Sequence, residues 1–254
     1  MNRDATDLAG VRHVSFETLG STNAEALALA RAGERGPLWL SAVSQSAGRG
    51  RRASTWVSPP GNLYATLLLV EPSAADCAPQ LSFVAALATH DAVAECAQAL
   101  APALKVKWPN DLLIGGAKAA GILIESENRP RLAVAVGIGV NCTSHPSDTR
   151  YPATDLAAKG AVVAPGALLA RLAAAMNQRL AQWQRGAGFA AIRADWLKRA
   201  AGLGEEIRVR LPERELAGKF DGLDEAGRLL VRQTGKRVEA ITAGEVFAFD
   251  RGGA

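Results

Sequence analysis

The sequence predicts an α+β protein in which a larger region of mixed helices and strands precedes a small all-β module. Helical stretches rich in Ala and Leu alternate with short runs rich in Val and Ile up to about residue 200. The runs at residues 119–125 and 132–141 are continuously apolar, which is typical of central strands covered on both faces. After Gly202 only short strand patterns follow, so we predict domains at residues 1–201 and 202–254.

The first elements are a short strand at residues 11–16 and a helix that starts close to Ser21. Thr22 and Glu25 have capping-box spacing, and Gly33 is suited to end the helix. The pattern then predicts a strand at residues 38–44, followed by a polar Gly/Arg loop at residues 45–54. A second strand is predicted at residues 63–70 and a buried Ala-rich helix at residues 81–100.

Short strands and tight turns are predicted for the middle of the chain, and Gly115-Gly116 suits a hairpin. Residues 143–160 are the best candidate for a mobile loop. Pro165 opens a helix that reaches about residue 184, and a second helix fills residues 189–200. Five short strands make up the C-terminal module, and closing them into a barrel would leave no exposed sheet edge.

Composition excludes several classes of protein. Cys77, Cys96 and Cys142 are far apart and odd in number, so neither a disulfide framework nor a zinc site is indicated. The sequence has neither an apolar run of about 18 residues nor a signal-peptide core, so we expect a cytoplasmic protein without a membrane partner. The net charge of +4 is dispersed in the last third of the chain, and a nucleic-acid surface would concentrate it.

The segment Gly48-Arg49-Gly50-Arg51-Arg52 is the first candidate for chemistry. Glycines let the backbone approach a ligand, and three forked guanidinium groups suit phosphate or carboxylate. The order of residues is not that of a phosphate-binding P-loop. A solvated basic turn explains the same pattern and stays open at this point.

The second candidate is KVKWPND at residues 105–111, followed seven residues later by Lys118. If Gly115-Gly116 forms a hairpin, Asp111 and Lys118 lie on adjacent antiparallel strands. Lys118 begins an apolar strand, where a partly desolvated ammonium group could neutralise a phosphoryl group. The alternative is an ordinary solvent-facing lysine.

The third candidate is Ser21-Thr22-Asn23 at the helix start, which is suited to receive the polar head of a ligand. Simple helix capping is the alternative for these side chains. Gln45 lies nearby if the strand before it belongs to the same sheet. Trp56, just after the arginines, is the aromatic residue most suited to contact a flat ligand.

Taken in order, these motifs resemble those of the biotin–protein ligases. The resemblance rests on STNAEA, QSAGRGRRAS-W, KWPNDLL with K-x-x-GIL, GIGVN and the β module, and it extends over residues 11–249. It implies a mixed sheet with flanking helices, similar to the cores of class II aminoacyl-tRNA synthetases, and an SH3-like C-terminal barrel. It also implies that ATP activates biotin to biotinyl-5′-AMP and that biotin is then transferred to a lysine of a biotin carboxyl carrier protein.

The resemblance also implies roles for individual residues. The residues that would hold the ureido ring of biotin are Ser21, Thr22, Asn23 and Gln45. Those that would border its bicycle are Gly121, Gly137 and Gly139. The loop of Arg49, Gly50 and Arg51 would fold over the intermediate. Lys118 would contact both the biotin carboxylate and the phosphate, and Asp111 would orient the acceptor amine. The nucleotide would lie near Arg51, Arg52, Trp56, Asn110, Lys118 and Asn141. The catalytic set is Lys118, Arg49, Arg51 and Asp111.

Two departures from the family pattern matter. Ala53-Ser54 replaces the Gly-Arg that many members carry after Arg52, which makes that hinge stiffer. About twenty residues precede Ser21, too few for the helix-turn-helix domain of members that repress transcription, so we expect the short form and no nucleic-acid partner. Mg²⁺ is expected to accompany ATP without dedicated protein ligands. A monomer or a weak homodimer is expected.

Three other functions fit parts of the pattern. A lipoate–protein ligase uses the same acyl-adenylate chemistry on a related core, although the Gly/Arg loop and KWPND favour biotin. A nucleic-acid-binding protein would fit the basic charge, and a ligand-binding module without catalysis would fit the candidate ligand-binding residues. Competition between substrates, and biotin-dependent exchange of pyrophosphate into ATP, separate these functions.

Overall fold

The computed structural model describes residues 5–128, 130–235 and 237–250. The ends of the two predicted domains, at residues 1–4 and 251–254, lie outside the described residues. The larger region contains eight strands: β1 Ala5–Leu8, β2 Val11–Leu19, β3 Leu38–Gln45, β4 Leu63–Val70, β5 Leu104–Lys107, β6 Asp111–Ile114, β7 Ala117–Asn128 and β8 Leu132–Val140. Its helices are α1 Thr22–Arg31, α2 Leu81–Cys96, α3 Pro165–Trp183 and α4 Phe189–Lys198.

The eight strands form one mixed sheet in the order β1-β2-β3-β4-β8-β7-β6-β5. Among the described strands of this sheet, β2 and β3 are the only neighbours that run parallel to each other. The apolar runs that predicted central strands are β7 and β8, which confirms that prediction. The predicted helices are confirmed as well, although α2 is shorter than predicted and ends at Cys96. No helix of the described part of the chain is long and apolar enough to cross a membrane.

Alternation along β8 shows how the two faces of the sheet are covered. Val134, Val136 and Ile138 belong to a large core that includes residues of α2, α3 and α4. Ala133 and Ala135 point to the other face, where they pack with α1. The α1 face therefore receives only small side chains from β8, and this leaves room above the sheet.

The capping box predicted for Thr22 and Glu25 is wrong. Ser21 is the N-cap residue, its side chain makes no capping hydrogen bond, and Thr22 is already inside the helix. The hydroxyl of Thr22 is instead engaged by Thr66 of β4 and Gln45 of β3, because α1 lies directly on the sheet. Tertiary contacts thus replace the local cap.

The C-terminal module is a five-stranded antiparallel sheet in the order β12-β11-β10-β9-β13. Its strands are β9 Glu206–Arg210, β10 Glu215–Leu223, β11 Leu229–Arg232, β12 Val238–Ile241 and β13 Glu245–Asp250. The two outer strands do not pair with each other within the described residues, so the predicted closed barrel is not observed. The apolar face of this sheet packs into the same core as α2 and α4, so burying it does not require closure.

Gly227 lies at the contact between the two regions. Its carbonyl accepts a hydrogen bond from Trp108 Nε1 (3.2 Å), and a Cβ at this position would lie 2.8 Å from the ring of Phe83. Its φ is +82°, a conformation that costs an L-residue about 1–2 kcal/mol.

Replacing Gly227 with alanine is expected to lower the free energy of unfolding by about 2–4 kcal/mol, because strain at positive φ adds to overpacking against Phe83. Gly235 is the matched control, since its φ is +91° and a Cβ there would meet open space. Gly235→Ala should cost only about 1–2 kcal/mol. Denaturant unfolding of both variants measures the difference, and equal losses would show that the contact at Gly227 contributes little.

Candidate active site

A cavity of about 270 Å³ lies on the α1 face of the sheet, beside the N-terminal start of α1. Its floor follows from the strand register: Gly137 and Gly139 of β8 continue the row of small residues that starts with Ala133 and Ala135. Gly139 is paired with Gly121 of β7. Residues without side chains therefore form the floor, while the branched residues of the same strands fill the opposite core.

One end of the cavity is lined mainly by uncharged polar groups and is built by the start of α1. Ser21 and Thr22 are buried there. The backbone N–H and the hydroxyl of Thr22 both donate to Gln45 Oε1 (2.8 and 3.2 Å), and Gln45 Nε2 donates to Ser58 (3.0 Å). Gln45 thus lies beside the helix start, as the sequence predicted.

Asn23 lies under this end and is held on both sides of its amide. Its Oδ1 accepts from Thr66 (2.6 Å), while Nδ2 donates to the carbonyl of Leu123 (3.2 Å) and to Glu125 Oε2 (2.9 Å). A Cβ at Gly137 would approach Asn23 Oδ1 to 2.3 Å, so only glycine fits opposite this side chain.

Glu125 is a site residue that sequence reasoning missed. Besides accepting from Asn23, its carboxylate lies 3.0 Å from Arg49 Nη2. Glu125 therefore ties the first arginine of the Gly/Arg loop to the α1 end of the cavity. The alternation in GILIESEN was the available signal, because it places residues 121, 123 and 125 on the same face of β7.

The other end of the cavity is cationic and centres on Asp111. Lys118 Nζ lies 2.6 Å from Asp111 Oδ1, and Lys107 Nζ lies 3.1 Å from Oδ2. Burial alone would raise the pKa of Asp111, but the two ammonium groups hold it below its usual value. Lys107 and Asp111 are buried, whereas a third of the Lys118 side chain is exposed. The predicted proximity of Asp111 and Lys118 is confirmed, and Lys107 joins them.

A β-bulge determines where Lys118 points. Residues 117 and 118 pair with Ile114 and Leu113, but residues 120 and 121 pair with Leu112 and Asp111, so Ala119 is an extra residue. In an unbroken strand Lys118 would share the face of Ala120 and Ile122, which pack into the large core. The extra residue turns Lys118 to the cavity side, as bulges at functional sites often do.

Arg51 connects the Gly/Arg loop with both the larger region and the C-terminal module. Its Nη1 donates to Asn110 Oδ1 (3.3 Å) and to the carbonyl of Gly244 (3.4 Å). Burial and the neighbouring Arg52 lower the pKa of the Arg51 guanidinium. Arg52 and Ala53 adopt φ of +54° and +58°, which glycine tolerates better, so the alanine at this hinge is strained.

Trp56 covers the glycine floor. Cβ atoms at Gly121 and Gly139 would lie within 3 Å of its indole ring, and Lys118 Nζ is 5.3 Å from its centre. The indole N–H is buried without a partner among the described residues. Asn141 does not line the cavity; it is buried and donates to the carbonyl of Thr154 (3.0 Å). The roles of Trp56 and Asn141 near adenine stay predictions.

Comparisons with known proteins agree with this architecture. Residues 22–141 match the model of the biotin/lipoate A/B protein ligase family, and residues 202–248 match the C-terminal domain of biotin protein ligases. A structure of the biotin protein ligase of Aquifex aeolicus with biotin and ATP superposes with a TM-score of 0.78 at 26% identity, over 92% of this chain and 97% of that one. The fold and the site therefore define a ligase of the biotin/lipoate class.

Relatives narrow the class further. A biotin–[acetyl-CoA-carboxylase] ligase of Paracoccus denitrificans is 46% identical over 89% of this chain and 96% of its own length. The corresponding ligase of Mycobacterium tuberculosis is 34% identical over 89% and 85%. The chain belongs to the biotin–protein ligase family.

Proposed function

We propose that this enzyme activates biotin with ATP and transfers it to a lysine of a biotin carboxyl carrier protein. The observation that carries the proposal is a single cavity whose uncharged polar end and cationic end are joined by a glycine floor. Biotin has the matching shape: a polar ureido ring, an apolar bicycle and a carboxylate tail. Ser21, Thr22, Asn23 and Gln45 would then receive the ureido ring, and Lys118 would receive the carboxylate.

In the first step a biotin carboxylate oxygen attacks the α-phosphorus of ATP, and pyrophosphate leaves with the electrons of the broken P–O bond. Two anions must approach each other, so alignment and charge neutralisation dominate the rate. Lys118 is suited to this because it is the more exposed partner of Asp111 and can turn to a ligand. Lys107 stays behind to neutralise the buried carboxylate.

Arg49 is better suited to closing the biotin end than to neutralising phosphate. It pairs with Glu125, seven residues from Lys118 on β7, and seven residues of strand span about 23 Å. Arg51 and Arg52 are then the arginines of the loop that face the nucleotide. Closure of such a loop protects the mixed anhydride from water.

Mg²⁺ is expected to arrive with ATP. Asp111 and Glu245 are the acidic residues that line the cavity, and both oxygens of Asp111 already face lysines. The donor set does not fit a protein-held magnesium ion, which agrees with a cation held by phosphates and water.

In the second step the deprotonated amine of the acceptor lysine attacks the acyl carbonyl, and AMP leaves. Asp111 Oδ1 is buried and accepts no aligned hydrogen bond from the described residues, although the Lys118 ammonium lies close to it. Once Lys118 has turned to the phosphate, this oxygen can orient the incoming amine. We propose a carrier domain as the acceptor and a monomer or a weak homodimer in the cytoplasm as the working form.

The test is exchange of labelled pyrophosphate into ATP. Exchange should require biotin and should not be supported by lipoate at the same concentration. Exchange driven equally well by lipoate would favour the lipoate–protein ligase, and its absence with both acids would leave a binding module. Adding a carrier domain should then produce biotinylated carrier and AMP.

Glu125→Gln is expected to raise the KM for biotin about tenfold and to change kcat less than twofold. The amide keeps the shape of the side chain but loses the charge-assisted contacts to Arg49 and Asn23. Hydrogen bonds to a charged group contribute about 1.5–3 kcal/mol, and here they also order this end of the cavity. Glu127→Gln is the matched control: two residues further along β7, Glu127 pairs with Arg31 outside this cavity. Equal effects of both variants would contradict a specific role of Glu125.

A further inference from the structure

The segment between β8 and α3 is attached to the cationic end of the cavity. The amide of Lys118 donates to the carbonyl of Pro152 (2.8 Å), and the amide of Thr154 donates to the carbonyl of Lys118 (2.9 Å). Ala153 thus forms a parallel bridge with Lys118. Part of the predicted mobile loop is therefore held against the strand that carries Lys118.

Tyr151 stands at the start of this attached stretch and touches both domains. The Nζ atom of Lys107 lies 5.5 Å from the centre of the Tyr151 ring, a cation–π distance. The Tyr151 hydroxyl accepts a hydrogen bond from Arg210 Nη1 of β9 (2.8 Å). One side chain therefore spans the gap between the buried ammonium group and the C-terminal sheet.

Arg210 is itself held in place within the C-terminal sheet. Its Nε and Nη2 donate to Glu215 Oε1 (3.2 and 2.9 Å), and its guanidinium carbon lies 4.5 Å from the centre of the Phe247 ring. The contact to Tyr151 therefore comes from a guanidinium group with little freedom to move. A continuous series of contacts runs from Arg210 through Tyr151 and Lys107 to Asp111.

We propose that Tyr151 is a positioning residue through which the C-terminal domain holds Lys107 against Asp111 during adenylation. This inference rests on the proposed function. Asp111 sits between two ammonium groups, and Lys118 can leave it for an anionic ligand only while Lys107 stays. If the ring over Lys107 is lost, Asp111 competes for Lys118 with the phosphoryl group on which charge develops during adenylation. The docked C-terminal domain thereby acts on the rate of the first step without touching the reacting atoms.

Three single variants and one double variant test this arrangement. Tyr151→Leu removes the ring and should lower kcat for biotin-dependent pyrophosphate exchange about tenfold. Tyr151→Phe keeps the ring and loses the hydrogen bond, and Arg210→Met loses the same bond from the other side, so each should lower kcat about threefold. The double variant Tyr151→Phe/Arg210→Met should also be about threefold slower, because one contact is removed only once.

Biotin binding measured by calorimetry supplies a readout that separates positioning from general damage. Without ATP, biotin keeps its contacts at the Ser21 and Asn23 end, and Lys118 is needed most when charge develops on the transferred phosphoryl group. The affinity should therefore stay within about twofold of wild type in all four variants. Three results would each overturn the inference: losses of kcat that multiply in the double variant, a loss of biotin affinity as large as the loss of kcat, or an unchanged kcat in Tyr151→Leu. Failure of the wild-type enzyme to catalyse exchange would instead overturn the proposed function.

Discussion

Lys118→Ala is expected to slow biotin-dependent pyrophosphate exchange by about 10²–10³-fold, the loss that follows removal of one group stabilising transition-state charge. The side chain is a third exposed and lies on the cavity side of the sheet only because of the bulge at Ala119. Its removal leaves the apolar core intact, so the thermal midpoint should change little. Asp111 keeps Lys107 as its counter-ion in the variant.

Lys105→Ala is the matched control for this substitution. Lys105 is an exposed lysine on the edge strand β5, which β6 separates from β7, and it lies outside the cavity. Its replacement should leave exchange at the wild-type rate. Lys118→Arg keeps the charge but replaces the compact ammonium group with a planar guanidinium group, so it should recover only part of the activity. Exchange at the wild-type rate in Lys118→Ala would show that the charge is supplied by other groups.

Arg51→Gly is expected to release the activated intermediate instead of abolishing its formation. Lys118 and Lys107 remain, so biotin should still be activated, but the loop would lose the charge-assisted phosphate contact proposed for Arg51, worth about 1.5–3 kcal/mol. A loss of this size corresponds to roughly 10–100-fold faster escape of biotinyl-5′-AMP. The variant also loses the contacts of Arg51 with Asn110 and the carbonyl of Gly244, which hold the loop against both domains.

The experiment incubates each enzyme with biotin, ATP, a carrier domain and a mixture of bystander proteins, followed by a blot for biotin. Wild type should label only the carrier, and Arg51→Gly should label bystanders as well. Ala53→Gly separates flexibility from charge: it relieves the strained φ at residue 53 and keeps every arginine, so its labelling should stay confined to the carrier. Loss of all labelling in Arg51→Gly would place Arg51 in the chemistry itself, and selective labelling would contradict a covering role of the loop.

Much of the fold could be predicted because its elements follow local rules. Period and composition identified α2, α3, α4 and the central strands β7 and β8. The hairpin at Gly115-Gly116 correctly placed Asp111 beside Lys118, since two glycines with positive φ set the pairing of the strands they join. The predicted capping box and the predicted closed barrel were wrong. At the start of α1 the Thr22 hydroxyl is hydrogen-bonded to Gln45 and Thr66 instead of capping the helix. The apolar face of the C-terminal sheet is buried against the core of α2 and α4, so it does not need to close into a barrel.

The sequence by itself determined which groups this protein brings to its site: the small residues of β8, the arginines of the loop and the lysines around Asp111. Only the tertiary structure decided which of these groups meet and which way each side chain points. Strand register brings Glu125 to Arg49 at the α1 end of the cavity, and a single extra residue turns Lys118 from the core to the cavity. Tyr151 reaches Arg210 across 59 positions of sequence. The reason is physical: a side chain's type and spacing are local properties, whereas sheet register, bulges and domain contacts depend on the packing of segments far apart in the chain.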